Sequence, residues 1–315
     1  MRVLFAVAVF LAPASLFGWG CDGHRIVAFI ARAHLTPDVS QEVDRLLRSS
    51  PVAASGNRNC PDSPADAMAA VASWADDIRS RVKNGVWHYI DIPRSVTERV
   101  SLAPWCPPLA LSSEGKDAAG CVVDAIQYFS KILADKTRSD PERAEALRYL
   151  IHFTGDIHQP LHDIDDSDQG GNCDPVRFSG DENSTNLHSL WDTRLLQAEM
   201  QKASITGTAE FAAILDTRFA SLYPALSKEP AGDSESWSWE SNALARNVAY
   251  GKLEPAVAMV TPGTIVACPD RRQTVGALQI VIGDAYTIPA QRVIDEQLAR
   301  AGFRLAFLLN SILHN

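Results

Sequence analysis

The chain has 315 residues, of which 46% are hydrophobic, and its formal net charge is −9. This length and apolar content are sufficient for a packed globular domain, and the acidic balance excludes a broad basic groove that would hold nucleic acid through its phosphates. After the N-terminus no run of about 20 apolar residues occurs, so we expect no stable membrane anchoring.

The first 18 residues have the pattern of a secretory signal peptide. Arg2 precedes an apolar run over residues 3–11, and small and turn-forming residues follow up to Gly18. We predict cleavage before Trp19, which gives a secreted or periplasmic protein with a net charge near −10. Leu16 is larger than the residue usually found three positions before a cut, so these residues alone leave open a site one or two positions away.

The six cysteines fit an oxidising compartment, because their number is even and none forms a C-x-x-C motif. Cys106 and Cys121 flank a loop rich in proline, glycine and serine, and we predict that they pair. The spacings are unlike those of zinc fingers, and the remaining connectivity stays open.

Helical periodicity dominates the chain, and strand signals are poor. The apolar spacing and the capping residues predict helices at 24–35, 37–47, 65–82, 122–134, from Pro141 to near Pro160, and at 187–200, 208–222, 234–252 and 290–313. Residues 51–64 and 93–120 are predicted to be loops, and 163–185 to be either a turn-rich loop or a small hairpin around 176–178. Since no linker or repeat interrupts this pattern, we predict one mainly α domain over residues 19–315.

Two H-x-x-x-D pairs, His152/Asp156 and His188/Asp192, are the most informative local pattern. Residues four apart lie on one face of a helix, so each pair can bind a cation. An isolated histidine on an apolar face is usually a core residue, but further histidines and a carboxylate accompany these pairs: His24, Asp76, His88 and His162. Neutral imidazole together with carboxylate suits zinc. The sequence therefore predicts a site for several metal ions, whose number the spacing does not fix.

Six segments that contain these residues resemble, in the same order, the motifs of the S1/P1 nuclease family of zinc-dependent single-strand-specific nucleases and 3′-nucleotidases. They are W-G-x-x-G-H at 19–24, S-W-A-D-D-x-R at 73–79, W-H-Y-I-D at 87–91, H-F-x-G-D-x-x-Q-P-L-H at 152–162, G-G-N at 170–172 and N-L-H-x-x-W-D at 186–192. The resemblance implies a helical fold, also similar to zinc phospholipase C, around a cleft that holds three zinc ions.

The resemblance also assigns the ligands of each ion. The first zinc would take Asp76, His88, His152 and Asp156; the second His162, His188 and Asp192; and the third His24, Asp156 and the α-amino group and carbonyl oxygen of Trp19. Asp156 would bridge the first and third ions. The role of Trp19 requires an unprotonated amine freed by cleavage before that residue, which favours the cut at this position.

The activity implied by the resemblance is hydrolysis of single-stranded DNA, RNA and 3′-nucleotides, with 5′-phosphate ends on the cleaved strands. Zinc lowers the pKa of a bound water towards neutrality and can neutralise the leaving 3′-oxygen. Asp76 and Asp156 would serve this catalysis, and Arg79 would contact the phosphate. Tyr89 and Asp91 would bind the base, by stacking and by accepting hydrogen bonds from its edge.

Some features depart from the family or leave alternatives. Fungal members have a tyrosine for a second base in the region of 181–185, where this chain has no aromatic residue, so that second site is not expected.

A zinc phospholipase C-like phosphodiesterase is one alternative, although that group has Glu where this chain has Asp192. A non-catalytic zinc-binding protein is another, although Arg79 and the complete ligand set argue against it. We expect a monomer.

Overall fold

The computed structural model of the chain describes residues 19–52, 64–114, 116–253 and 267–314. The predicted signal peptide, Cys60 and most of the predicted loop at 51–64 lie outside the described residues. None of the described helices combines the length and apolar character needed to cross a membrane.

The described chain is mainly helical, as predicted. Its α-helices are α1 (Cys21–Ala33), α2 (Pro37–Ser49), α3 (Ala67–Val71), α4 (Trp74–Val82), α5 (Val122–Ala134), α6 (Asp140–Asp156), α7 (Leu187–Ser189), α8 (Leu195–Lys202), α9 (Thr208–Phe219), α10 (Tyr223–Leu226), α11 (Ser234–Leu244), α12 (Cys268–Gly276) and α13 (Asp284–Leu313). Short 3₁₀ turns occupy Gly85–His88, Pro160–His162 and Ala220–Leu222, and π-helical turns occupy Leu190–Arg194 and Ala245–Tyr250.

The short strands form one small sheet in the order β2-β1-β3, with β1 (Pro175–Phe178), β2 (Thr185–Asn186) and β3 (Val281–Ile282). Strand β1 pairs antiparallel with β2, with Val176 opposite Thr185, and parallel with β3. Of the two predictions for residues 163–185, a turn-rich loop or a small hairpin, the structure shows the hairpin.

The predicted single helix over 65–82 is wrong, because the chain turns at Ala72 and Ser73 and forms α3 and α4 instead. The turn leaves the Ala72 carbonyl outside the regular helical pattern, and this oxygen accepts a hydrogen bond from Nδ1 of His152 at 2.7 Å. The interruption therefore provides a fixed partner for one of the predicted metal ligands.

The last helix begins at Asp284, six residues before the predicted start, and contains Pro289. Pro289 is the sixth residue of this helix and lacks the N–H that would bond to the Ala285 carbonyl, yet the helix continues through it. Helix α12 and strand β3 were not predicted, since 268–282 has no clear apolar periodicity.

Helices α6 and α13 form the centre of the core, where α6 packs against α5 and α13 against α1. Nearly all residues of α6 from Arg143 to Asp156 are buried, so the end of this helix brings His152 and Asp156 into the interior. The predicted Cys106–Cys121 disulfide is present. A second disulfide joins Cys173, in the loop before β1, to Cys268 at the start of α12, and Cys21 is also disulfide-bonded.

Candidate metal centre

The first group of predicted ligands meets where α4, the 3₁₀ turn at Gly85–His88 and the end of α6 converge. Nδ1 of His88 lies 3.1 Å from Nε2 of His152 and 2.9 Å from Oδ2 of Asp156, and Oδ1 of Asp76 lies 3.6 Å and 3.7 Å from the two nitrogens. Two atoms bound to one tetrahedral zinc at about 2.0–2.1 Å are about 3.3 Å apart. Asp76, His88 and His152 are thus spaced to share one cation. Oδ2 of Asp156 lies beside both imidazoles, within reach of another group formed by His24, His152 and Asp156.

The second group comprises His162, His188 and Asp192, whose ligand atoms lie within 4.8 Å of one another. Nδ1 of His162 donates to the His88 carbonyl at 2.8 Å, and Nδ1 of His188 donates to the Gly170 carbonyl at 2.7 Å. Both imidazoles can therefore present the lone pair of Nε2 to a metal. The π-helical turn at Leu190–Arg194 carries Asp192, with Oδ2 3.4 Å from Nε2 of His188.

The third group lies where α1 packs against α6. Nε2 of His24 is 3.4 Å from Oδ1 of Asp156, and the His24 ring stacks on the His152 ring at 3.9 Å. Trp19 is fully buried and is separated from the start of α1 by Gly20 alone. The two oxygens of Asp156 face different groups, since Oδ1 faces His24 whereas Oδ2 faces His88 and His152. This is the geometry that a bridging carboxylate needs.

Gly155 permits this approach of α1 to α6. A Cβ atom at this position would lie 2.7 Å from Nδ1 of His24. Any side chain here would therefore displace the His24 ring.

Several atoms of the three groups are buried without a hydrogen-bond partner. Those that face the groups are Nε2 of His24, Oδ1 of Asp76, Oδ1 of Asp156 and Nε2 of His162. An unpaired buried polar atom costs roughly 1–3 kcal/mol, so a cluster of them is unfavourable unless cations complete it. The residues thus fit bound metal ions, and the nitrogen and oxygen donors suit zinc.

The electrostatics of the histidines agrees with metal binding. Burial, with the neighbouring His152, lowers the pKa of His24 to about 4, so this imidazole is neutral and can donate its lone pair. Burial also acts to lower the pKa of His152, but the carboxylates of Asp156 and Asp76 outweigh it and raise that pKa to about 9. A metal at this position would take the place of the His152 proton.

Arg79 lies one helical turn after Asp76 on α4, with a guanidinium nitrogen 3.7 Å from Oδ1 of Asp76. About a fifth of its side chain is exposed, so it can reach a ligand beside the metal ligands.

Tyr89 comes directly after His88 and has an extended backbone, and Asp91 follows two residues later. Tyr89 is partly buried, and Asp91 has more of its surface in solvent although its carboxyl group is partly shielded from water. Loss of hydration and the nearby Asp165 raise the pKa of Asp91 to about 7. Burial, followed by the charge of Asp91, raises the pKa of Tyr89.

Sequence reasoning missed the groups that orient these ligands. Nε2 of Gln159 donates to Oδ1 of Asp192 at 2.6 Å. Oε1 of the same side chain accepts a hydrogen bond from the backbone amide of Leu161. The position of Gln159 between His152 and His162 is the one available signal. The other acceptors are the backbone carbonyls of Ala72 and Gly170, which cannot be predicted from residue type because every residue has a carbonyl.

Comparison of the sequence with known proteins identifies the family to which the chain belongs. The S1/P1 Nuclease family model matches residues 19–314. The chain belongs to the S1/P1 nuclease family. It is 29% identical to Nuclease P1 of Penicillium citrinum over 93% of this chain and 97% of that protein. It is 27% identical to Nuclease S1 of Aspergillus oryzae over 99% and 98%, and 26% identical to Endonuclease 2 of Arabidopsis thaliana over 99% and 96%.

Proposed function

We propose that this protein is a secreted zinc-dependent endonuclease that cleaves single-stranded DNA and RNA to 5′-phosphate products and also acts on 3′-nucleotides. The observation that carries the proposal is the convergence of three buried His/Asp groups with unpartnered ligand atoms in a chain of this family. The names of its relatives, nucleases and endonucleases, support the same reaction class.

Three zinc ions would be held by the three groups. Asp76, His88, His152 and Asp156 would hold one, His162, His188 and Asp192 another, and His24, Asp156 and the backbone of Trp19 the third. When bound, zinc supplies a water of lowered pKa and neutralises negative charge on phosphate oxygens. Asp156 would contribute to two of these sites, since its two oxygens face different imidazoles.

The remaining side chains would orient the substrate. Arg79 would donate hydrogen bonds to the oxygens of the reacting phosphate and stabilise the charge that builds up on them. Tyr89 would stack on an unpaired base and Asp91 would accept from its edge, a mode that tolerates different bases. Double-stranded substrates should react poorly, because each base must leave its stack at a cost of a few kcal/mol.

Export would couple to activity through Trp19. Cleavage after residue 18 would free the α-amino group of Trp19, a fully buried residue that lies five positions before His24. The disulfides support an oxidising compartment.

The decisive experiment measures zinc content together with product formation from single-stranded DNA, RNA, 3′-AMP and phosphatidylcholine. We expect three zinc ions per chain and 5′-phosphate ends from both nucleic acids, with activity lost in chelator and restored by zinc. Full activity in excess chelator would contradict the zinc assignment. Turnover of phosphatidylcholine alone would favour the phospholipase alternative, and three bound zinc ions without turnover of any of these substrates would favour a non-catalytic protein.

A further inference from the structure

A buried ionic cluster lies behind the His188 metal group and has no role in the chemistry described above. Its centre is Arg271 on α12, of which only 1% is exposed. The guanidinium binds both oxygens of Asp174, at 2.5 Å and 2.9 Å, and donates to the Asp166 carbonyl at 2.7 Å. Asp166 and Asp168 add carboxylate oxygens at 3.3 Å and 3.4 Å.

The cluster contains more negative charge than Arg271 alone neutralises. Arg94 lies 3.3 Å from the carboxylate of Asp166, and the Tyr250 hydroxyl donates to both oxygens of Asp168, at 2.8 Å and 3.0 Å. Burying two arginines and three aspartates together often adds no stability compared with apolar packing. An arrangement of this kind therefore indicates that the geometry of the 166–174 segment matters.

That segment provides the backbone that holds His188. Gly170 and Gly171 have positive φ angles of 59° and 84°, which turn the chain so that the Gly170 carbonyl accepts from Nδ1 of His188 at 2.7 Å. The Asp174 carbonyl accepts from the amide of Leu187, the residue before His188, at 2.9 Å. The residues that Arg271 binds thus lie on both sides of the turn that faces His188.

We infer that Arg271 is a positioning residue for the His162/His188/Asp192 metal group. By fixing Asp166, Asp168 and Asp174 it holds the Gly170 carbonyl where it keeps the proton on Nδ1 of His188, so that Nε2 points to the metal. Groups that orient a ligand in this way typically change metal affinity by 10–100-fold when removed. The inference rests on the proposed function only in taking the bound metal to be zinc.

The Cys173–Cys268 disulfide makes the idea testable without loss of the fold. It links the same segment to the first residue of α12, three residues before Arg271. A change at Arg271 therefore leaves α12 attached to the loop while it removes the bidentate contact with Asp174. Lysine keeps the positive charge but cannot bind both carboxylate oxygens in the same plane.

The test compares Arg271→Lys with Arg143→Lys. Arg143 is a matched control, since it is also a buried arginine, donates to the Leu133 carbonyl and pairs with Glu42, at the end of α6 remote from Asp156. Zinc content is measured over a graded series of chelator concentrations. In Arg271→Lys we expect one zinc ion to leave at a chelator concentration at least about tenfold lower than in the wild-type protein, with the others unchanged. Asp174→Asn should shift the same ion, and Arg143→Lys none.

The inference would be overturned if Arg271→Lys released every zinc ion at the wild-type chelator concentrations. It would also be overturned if all ions were released at equally lowered concentrations, because that result indicates destabilisation of the whole fold. A second readout needs no metal: the ring ¹⁵N shifts of His188 in metal-free protein report its tautomer. We expect protonation at Nδ1 in the wild-type protein and a mixture of tautomers in Arg271→Lys; identical shifts would contradict the positioning role. Because neither readout uses turnover, a protein that lacked nuclease activity would refute the proposed function and still allow this test.

Discussion

Gly155 controls how closely His24 can approach the end of α6. Within a helix, alanine is normally favoured over glycine by about 1 kcal/mol, so helix propensity alone predicts that Gly155→Ala stabilises the protein. The added methyl group would instead lie 2.7 Å from Nδ1 of His24 and force the ring away from Asp156. We expect Gly155→Ala to lose zinc from the His24 group and to have an activity at least about tenfold lower than that of the wild-type protein.

The measurement for Gly155→Ala is zinc per chain by elemental analysis together with the rate on single-stranded DNA. Gly276→Ala on α12 is the control, because a Cβ there would meet Pro175 at an ordinary 3.4 Å. Full zinc content and activity in Gly155→Ala would show that His24 does not need its present position.

Asp91 gives a prediction about pH. Because the pKa of this carboxyl is raised to about 7, it is protonated below that pH and becomes a charged acceptor only above it. If Asp91 accepts from a base, KM for nucleotide substrates should fall as pH rises through about 7. In Asp91→Asn the side chain does not titrate, so this step in KM should vanish. A step of the same size in the variant would assign the titration to another group.

The ligand types could be predicted from the sequence, whereas their supports could not. Two histidine-aspartate pairs at helical spacing indicate a metal site because spacing of four fixes a common face. The acceptors on Nδ1 of His152, His162 and His188 are backbone carbonyls of distant residues, and every residue type carries one. Residue types alone therefore contain no information about them.

Among the helices, α6 has the clearest local reason for its position. Its start has a capping box, in which the Ser139 side chain accepts from the Glu142 amide and Glu142 accepts from the Ser139 amide. Loss of such a cap typically costs about 1 kcal/mol. We expect Ser139→Ala to lower the free energy of unfolding by about this amount and to leave zinc content unchanged, since His152 lies three turns further along.

Denaturant unfolding measures the effect of Ser139→Ala, with Ser130→Ala as the control. Ser130 lies within α5, where its hydroxyl donates to the Ile126 carbonyl, and alanine is the better helix former at such a position. If both variants unfold at the wild-type denaturant concentration, the cap adds nothing to the stability of α6.

Helices with one clear local signal could be predicted to within a few residues: α2 and α5 have an apolar stripe, and α6 begins with a capping box. The errors occur where tertiary contacts replace local signals. The break between α3 and α4 coincides with the hydrogen bond from His152 to Ala72. Helix α12 has little apolar periodicity and is held by Cys268 and Arg271, whose partners are about a hundred residues away in sequence.

At the scale of the whole molecule, the acidic charge conflicts with the proposed nucleic-acid substrate only if phosphates are bound by a basic surface. The formal charge is −9 before removal of residues 1–18 and one unit more negative afterwards, because Arg2 is the one charged residue of that segment. The three His/Asp groups are buried at one place, where bound cations would give a local positive charge. Attraction of the phosphate should therefore be local rather than spread along a groove.

This arrangement predicts a weak dependence of binding on salt. For single strands the logarithm of the affinity falls with the logarithm of salt concentration by about 0.7 for each phosphate neutralised by Lys or Arg. With Arg79 as the principal such contact, the slope of log(kcat/KM) between 50 and 200 mM NaCl should be shallower than about −2. Arg79→Ala should make it shallower still by about 0.7. Lys83→Gln, which changes an exposed cation paired with Asp117, should leave the slope unchanged. A slope steeper than about −4 in the wild-type protein would instead require an extended row of cationic contacts.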